Sequence, residues 1–99
     1  MATFITTIKF TPQGIKAIKE TTQRAASLKS AAKKMGVSVK HIFWTLGDHD
    51  GTLIFEAPDD ETAAALMMHL GAAGNVHTAT ERAFTAAEMD TVLAKVHGG

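Results

Sequence analysis

His41 and Glu56 are the pair in this sequence best suited to proton transfer, with the histidine as carrier and the carboxylate orienting it. A histidine near a carboxylate in a partly apolar cavity titrates near neutrality. Arg82 adds a planar fork that suits a carboxylate or an enolate. Lys9, Phe43, Thr45, Asp50 and Thr78 complete the set of side chains that could line one ligand cavity. A plainer reading stands beside each functional one. Lys9 and Glu56 could form a cross-strand ion pair with His41 hydrogen-bonded next to it, and Arg82 with Asp50 could close a rim.

Other chemistries find less support. The chain has five histidines and no cysteine, which removes disulfides, thiolate metal sites and cysteine catalysis. No His-x-His, His-x-x-x-His or His-Glu-x-x-His spacing occurs. His77 and Glu81 share a strand face but sit about 13 Å apart along it, too far to chelate one ion. No metal site is therefore expected, the remaining option being His41 and Glu56 or ligands shared with another subunit. Gly71 to Gly74 precedes a strand and not a helix, so it is no phosphate loop. Ser27, Ser30 and Ser38 lie in or beside the first helix and suggest no Ser-His-Asp arrangement. No cofactor is expected, and any catalysis would be cofactor-free oxygenation or isomerisation of a small ligand.

Those residues must be positioned by local structure. Phe4 to Phe10 alternates apolar and polar residues like a strand, and Thr11-Pro12 opens a helix with an N-cap and a proline in its first turn. Ile15, Ile18, Thr22, Ala25, Leu28, Ala32 and Met35 recur at helical spacing until Gly36. A continuous helix over that span, about 36 Å, would overshoot a strand of about 27 Å, so a break is expected near Thr21-Thr22. Val39–Leu46 and Thr52–Glu56 read as a hairpin around Gly47 to Gly51. Asp59 caps a helix to Leu70, Val76–Phe84 is a fourth strand, and Thr85 with Glu88 forms a capping box for a short last helix to Val96. Gly98-Gly99 should fray.

The order βαββαβ plus a short C-terminal helix predicts an α+β, ferredoxin-like split β-α-β fold, a single domain over 1–99. Right-handed crossovers give an antiparallel sheet of order 4-1-3-2, and the first and third strands are expected as a central, mutually parallel pair. Parity assigns Phe4, Ile8, Phe10, Ile42, Trp44, Leu46, Leu53 and Phe55 to the helix side. The opposite face collects Ile5, Thr7, Lys9, His41, Phe43, Thr45, Asp50, Thr52, Ile54 and Glu56, with Thr78, Thr80 and Arg82. On this arrangement Lys9, Glu56 and His41 form one cluster beside Thr78, and Arg82, Asp50 and Thr45 another. A bare face carrying Ile5, Phe43 and Ile54 asks for a cover, and the economical one is a second copy packed sheet to sheet.

Charge is divided by position. Residues 1–46 carry eight Lys or Arg against Glu20, and 47–99 carry nine acids against Arg82 and Lys95, for a net charge of zero. The cations between Lys16 and Lys34 form a ridge on the first helix without interleaved aromatics, so nucleic acid is not expected as a partner. No run of about 20 apolar residues exists to span a membrane, and no secretory signal is visible, so a cytoplasmic address is expected.

Several motifs together resemble one family: Phe10 to Gly14 as an aromatic-Thr-Pro-x-Gly turn, Trp44-Thr45-Leu46-Gly47 followed by Asp50, Glu56-Ala57-Pro58-Asp59-Asp60, Gly74-Asn75-Val76 and Arg82-Ala83-Phe84. They are similar to those of the GYD domain family of the dimeric α/β barrel superfamily. The resemblance implies a ferredoxin-like protomer and a barrel formed by two facing sheets, and it implies no particular activity. Two positions depart from the family pattern: His49 replaces the tyrosine of its Gly-x-Tyr-Asp turn, and His77 stands where relatives tend to carry arginine. The resulting expectation is a homodimer, or a larger assembly built on it, that binds a small apolar or anionic ligand in the barrel. Its alternatives are the cofactor-free oxygenase or isomerase above and a non-catalytic structural or interaction protein.

Overall fold

Strand β1 (Ala2–Phe10) lies at the centre of the molecule, flanked by the two strands made after it in the second half of the chain. The computed structural model describes residues 1–98; of the tail expected to fray, Gly99 lies outside the described residues. After β1 come α1 (Pro12–Lys16), a 3-10 turn (Ile18–Glu20), α2 (Thr21–Lys34), β2 (Ser38–Trp44), β3 (Gly51–Ala57), α3 (Asp60–Ala72), β4 (Val76–Ala83) and α4 (Ala86–Ala94). The sheet order is β2-β3-β1-β4, the expected ferredoxin-like arrangement read from the other edge.

One expectation about this sheet is corrected. β1 and β3 are central but antiparallel, with Thr3 across from Glu56 and Ile8 across from Gly51. The crossover through α2 makes β2 run with β1, and the hairpin then turns β3 back, so the strand between them opposes both.

The expected break falls at Ala17, just ahead of Thr21, where α1 gives way to the 3-10 turn. Arg24 serves the carbonyls this break releases: its guanidinium donates to Ala17 O at 3.0 Å and to Gly14 O at 3.4 Å. At the other end of α2, Gly36 adopts φ +77°, Val37 N donates to Ala32 O and Gly36 N to Lys33 O, which is the paired closure of a helix ending in a left-handed glycine.

Phe4 and Phe55 stack across the central strands at 5.3 Å, and with Leu53, Leu66, Leu28, Ala32 and Val37 they form the core under α2 and α3. Thr6 is wholly buried among them, its hydroxyl 2.8 Å from that of Thr80 and 3.4 Å from Met67 Sδ. Leu46, expected on the helix side, is instead fully exposed, because β2 ends at Trp44 and Leu46 belongs to the turn.

α4 stands apart. No residue of it is buried, and Met89, Val92 and Leu93 line one exposed side at helical spacing, with Val96 exposed just past its end. The radius of gyration is 15.2 Å, against about 13 Å for a compact chain of about 100 residues. The expected capping box starts this helix: Thr85 N donates to Glu88 Oε1, and Glu88 N to Thr85 Oγ1. Asp59 likewise caps α3 by accepting the Thr62 N–H at 2.7 Å.

Hydrogen bonds from Thr62 hold the Asp59 carboxyl below its ordinary range, and the Thr85 N–H, then Arg82, do the same for Glu88. A carboxyl with a depressed folded value stabilises fully above its unfolded value and loses that contribution as pH falls through the folded one. The melting temperature should therefore hold from pH 7 to about pH 5 and drop below about pH 4. The double variant Asp59→Asn, Glu88→Gln should start lower and show a shallower acid limb in circular dichroism melts.

Candidate functional site

The face of the sheet away from the helices carries the candidate site. β1 contributes Ile5, Thr7 and Lys9, and β3 contributes Thr52, Ile54 and Glu56, with register placing Ile5 across from Ile54. On β2 a register shift between Val39 and His41 leaves Lys40 as an extra residue. His41 and Phe43 follow on the open face, their rings stacked at 5.6 Å and 11°. Phe43 is 53% exposed and Ile5 and Ile54 are half-buried, so an apolar patch runs from the two central strands to the β2 edge with no helix over it.

The two expected clusters are not assembled. Glu56 pairs with Lys40 Nζ at 3.8 Å, and Lys9 lies across from His77 at the far end of β1. Six residues separate Lys9 from Thr3, the partner of Glu56, which is about 20 Å of strand. The cause is the antiparallel central pair, which sets the end of β1 beside the start of β3. His41 faces Ile54, one pair along from Glu56, and its ring contact is Phe43.

Arg82 and Thr78 lie on the other face. Register pairs Arg82 with Phe4, Thr80 with Thr6 and Thr78 with Ile8, all helix-side residues, so the expected parity of β4 is corrected by one position. Residues directly opposite in an antiparallel pair share a face, which puts His77, Ala79, Glu81 and Ala83 on the open side instead. Arg82 sits 4.6 Å from the Phe84 ring and 5.9 Å from that of Phe4, with Nη2 3.2 Å from Glu88 Oε2. It holds the start of α4 against the sheet. The sequence carries a weak signal for this register in the apolar Val76, which matches Phe10 across the pair.

Asp50 and Thr45 hold the hairpin. The Asp50 carboxylate accepts the Phe10 N–H at 2.8 Å while its own N–H donates to Ile8 O, extending the ladder past the end of β3. Thr45 N donates to Asp50 O at 2.9 Å, and its hydroxyl donates to His49 O at 2.7 Å. Among the described residues no group of three His, Asp or Glu side chains is placed to hold a metal ion. None of the described helices is long and apolar enough to cross a membrane.

A four-stranded antiparallel sheet of this order, covered by helices on one face and presenting an apolar patch on the other, defines a ferredoxin-like α+β domain. The chain belongs to the GYD domain family, whose model matches residues 4–93. It is 30% identical over 90 residues, covering 90% of this chain and 95% of the relative, to a Thermus thermophilus protein named glutamine synthetase and cystathionine beta-lyase binding protein. Its fold is similar to the crystal structure of MtbAldR, with a TM-score of 0.67 over 85% of this chain and 14% identity; the match spans 53% of that protein, about half its length. An ACT domain protein from Streptococcus pneumoniae superposes on 99% of the chain, over 98% of its own length, with a TM-score of 0.49 and 14% identity.

Proposed function

We propose that this GYD domain is a homodimeric binding protein whose two copies join through their open sheet faces. The observation that carries the reading is the uncovered patch of Ile5, Phe43 and Ile54. Apolar side chains on an uncovered sheet face are removed from water most economically by an identical face related by a two-fold axis. The name of the Thermus relative, a binding protein for two enzymes, supports a protein as the partner of the assembled dimer. The engagement of Glu56 with Lys40 supports binding over the oxygenase or isomerase alternative, which needs Glu56 to orient His41. Sedimentation equilibrium at micromolar concentration should give twice the protomer mass of 10.5 kDa. A protein that sediments as a monomer there would remove the dimer reading.

A further inference from the structure

The space between sheet and helices is not filled along its whole length. Beyond the stacked Phe4 and Phe55, α2 and α3 leave a cavity of about 190 Å³ over the last part of β1. Its walls are Ile8, Leu28, Ile42, Trp44, Leu53 and Leu70. The polar groups that line it are few. Trp44 donates its indole N–H to Thr21 Oγ1, and Asp50 Oδ2 accepts the Phe10 N–H. His69 comes from the last turn of α3, and Arg24 from α2. Arg24 uses two of its five N–H donors on the carbonyls of Ala17 and Gly14, and its carboxylate neighbour among the described residues, Glu20 at 3.6 Å, is largely exposed.

Apolar walls left facing water forgo the stabilisation that burial would bring, and a domain of this size has little stability to spare. We infer that the cavity is a ligand site, and that its ligand is a monocarboxylate with an apolar body of about six to eight carbons, aromatic or alkyl. An apolar cavity of about 150 Å³ is enough to hold benzene, so the volume fits such a body. The free donors of Arg24, with His69 beside the same space, supply the cationic and polar end that distinguishes an acid from a hydrocarbon. The cavity lies between the sheet and the helices of one protomer, and of the three residues of the proposed dimer patch only Phe43 borders it.

Trp44 is the only tryptophan of the chain and lines the cavity, which makes its emission a direct readout. Titration with sodium octanoate, 3-phenylpropanoate and 1-octanol should give a saturable change in Trp44 emission with both acids. Arg24→Gln should weaken the acids about tenfold and the alcohol less than twofold. Ala25→Leu, which puts a larger side chain into the cavity, should abolish binding of all three. If that variant does not fold, nuclear Overhauser contacts from octanoate to Leu28 and Leu53 methyls in the wild type decide the matter. A response that does not saturate, an equal loss of acid and alcohol in Arg24→Gln, undiminished binding in Ala25→Leu, or missing methyl contacts would each overturn the site. Octanoate binding should persist in a monomeric variant altered at Ile5 or Ile54, neither of which lines the cavity, so loss of the dimer and loss of this site are separately readable.

Discussion

Gly14→Ala should lower stability by about 2–3 kcal/mol and the melting temperature by about 10–20 °C. Gly14 is buried, and a β-carbon on it would lie 2.0 Å from the Asn75 carbonyl oxygen. The obstacle is backbone, so no side chain can swing aside. It is fixed backbone as well: the same Asn75 carbonyl accepts the Thr11 N–H at 3.0 Å, while the Thr11 hydroxyl donates to Gly74 O at 2.7 Å and accepts the Gly14 N–H at 3.1 Å. Two motifs sixty residues apart, Thr-Pro-x-Gly and Gly-Asn-Val, are thus one clasp joining the end of β1 to the start of β4. Either the added methyl forces β4 away or the clasp opens, and both loosen the β1–β4 pairing. Urea or thermal unfolding followed by circular dichroism measures the loss. A change below about 0.5 kcal/mol would mean that the clasp does not hold the sheet.

Phe43→Asp should dissociate the proposed dimer while leaving the protomer folded. Because Phe43 is already 53% exposed in the protomer, little packing is lost there, and the cost to protomer stability should stay within about 1 kcal/mol. At a two-fold contact each substitution acts twice, once from each copy, and an aspartate pressed against Ile5 and Ile54 of an opposing sheet would be stripped of water without a partner. The dimer dissociation constant should rise at least a hundredfold. Sedimentation velocity over a concentration series, with a melt on the same sample, separates dissociation from unfolding. A dimer that survives the change would move the interface elsewhere, with the apolar side of α4 as the next surface to alter.

The parts of this fold that could be read from sequence are those set by neighbours in the chain. The Thr85-Glu88 box, the Asp59 cap, Gly36 and the hairpin turn each follow from residues a few positions apart, and each stands where expected. The alternation in β1 and β3 was legible because one face of each is plainly apolar. β4 offers no such contrast. Val76-His77-Thr78-Ala79-Thr80-Glu81-Arg82 is polar on both sides, so its register is decided by β1, far away in sequence, and a one-residue slip exchanges its faces. That slip, together with the direction of β3, explains why Arg82 and Thr78 left the candidate site and why Lys9 and Glu56 lie apart. The extra residue in β2 is equally invisible to parity counting, yet it sets Lys40 beside Glu56. The sequence alone offers Asp50 as a side chain for a ligand, whereas its carboxylate completes the hydrogen bonding of a strand end, a need that exists only once β1 and β3 have met.

The position of β1 also has a consequence for synthesis. It is translated before either of its neighbours, and Thr3 pairs with Ala83 and with Glu56, so neither edge of β1 can be covered until most of the chain has been made. On the ribosome the segment up to Lys34 can form α2, but Phe4, Ile5 and Ile8 must wait in an extended, unpaired strand. Pairings this distant in sequence slow folding, because the chain must close long loops before it gains their contacts. Translation speed and chaperone occupancy on the nascent chain should therefore govern the yield of this domain more strongly than its size alone suggests.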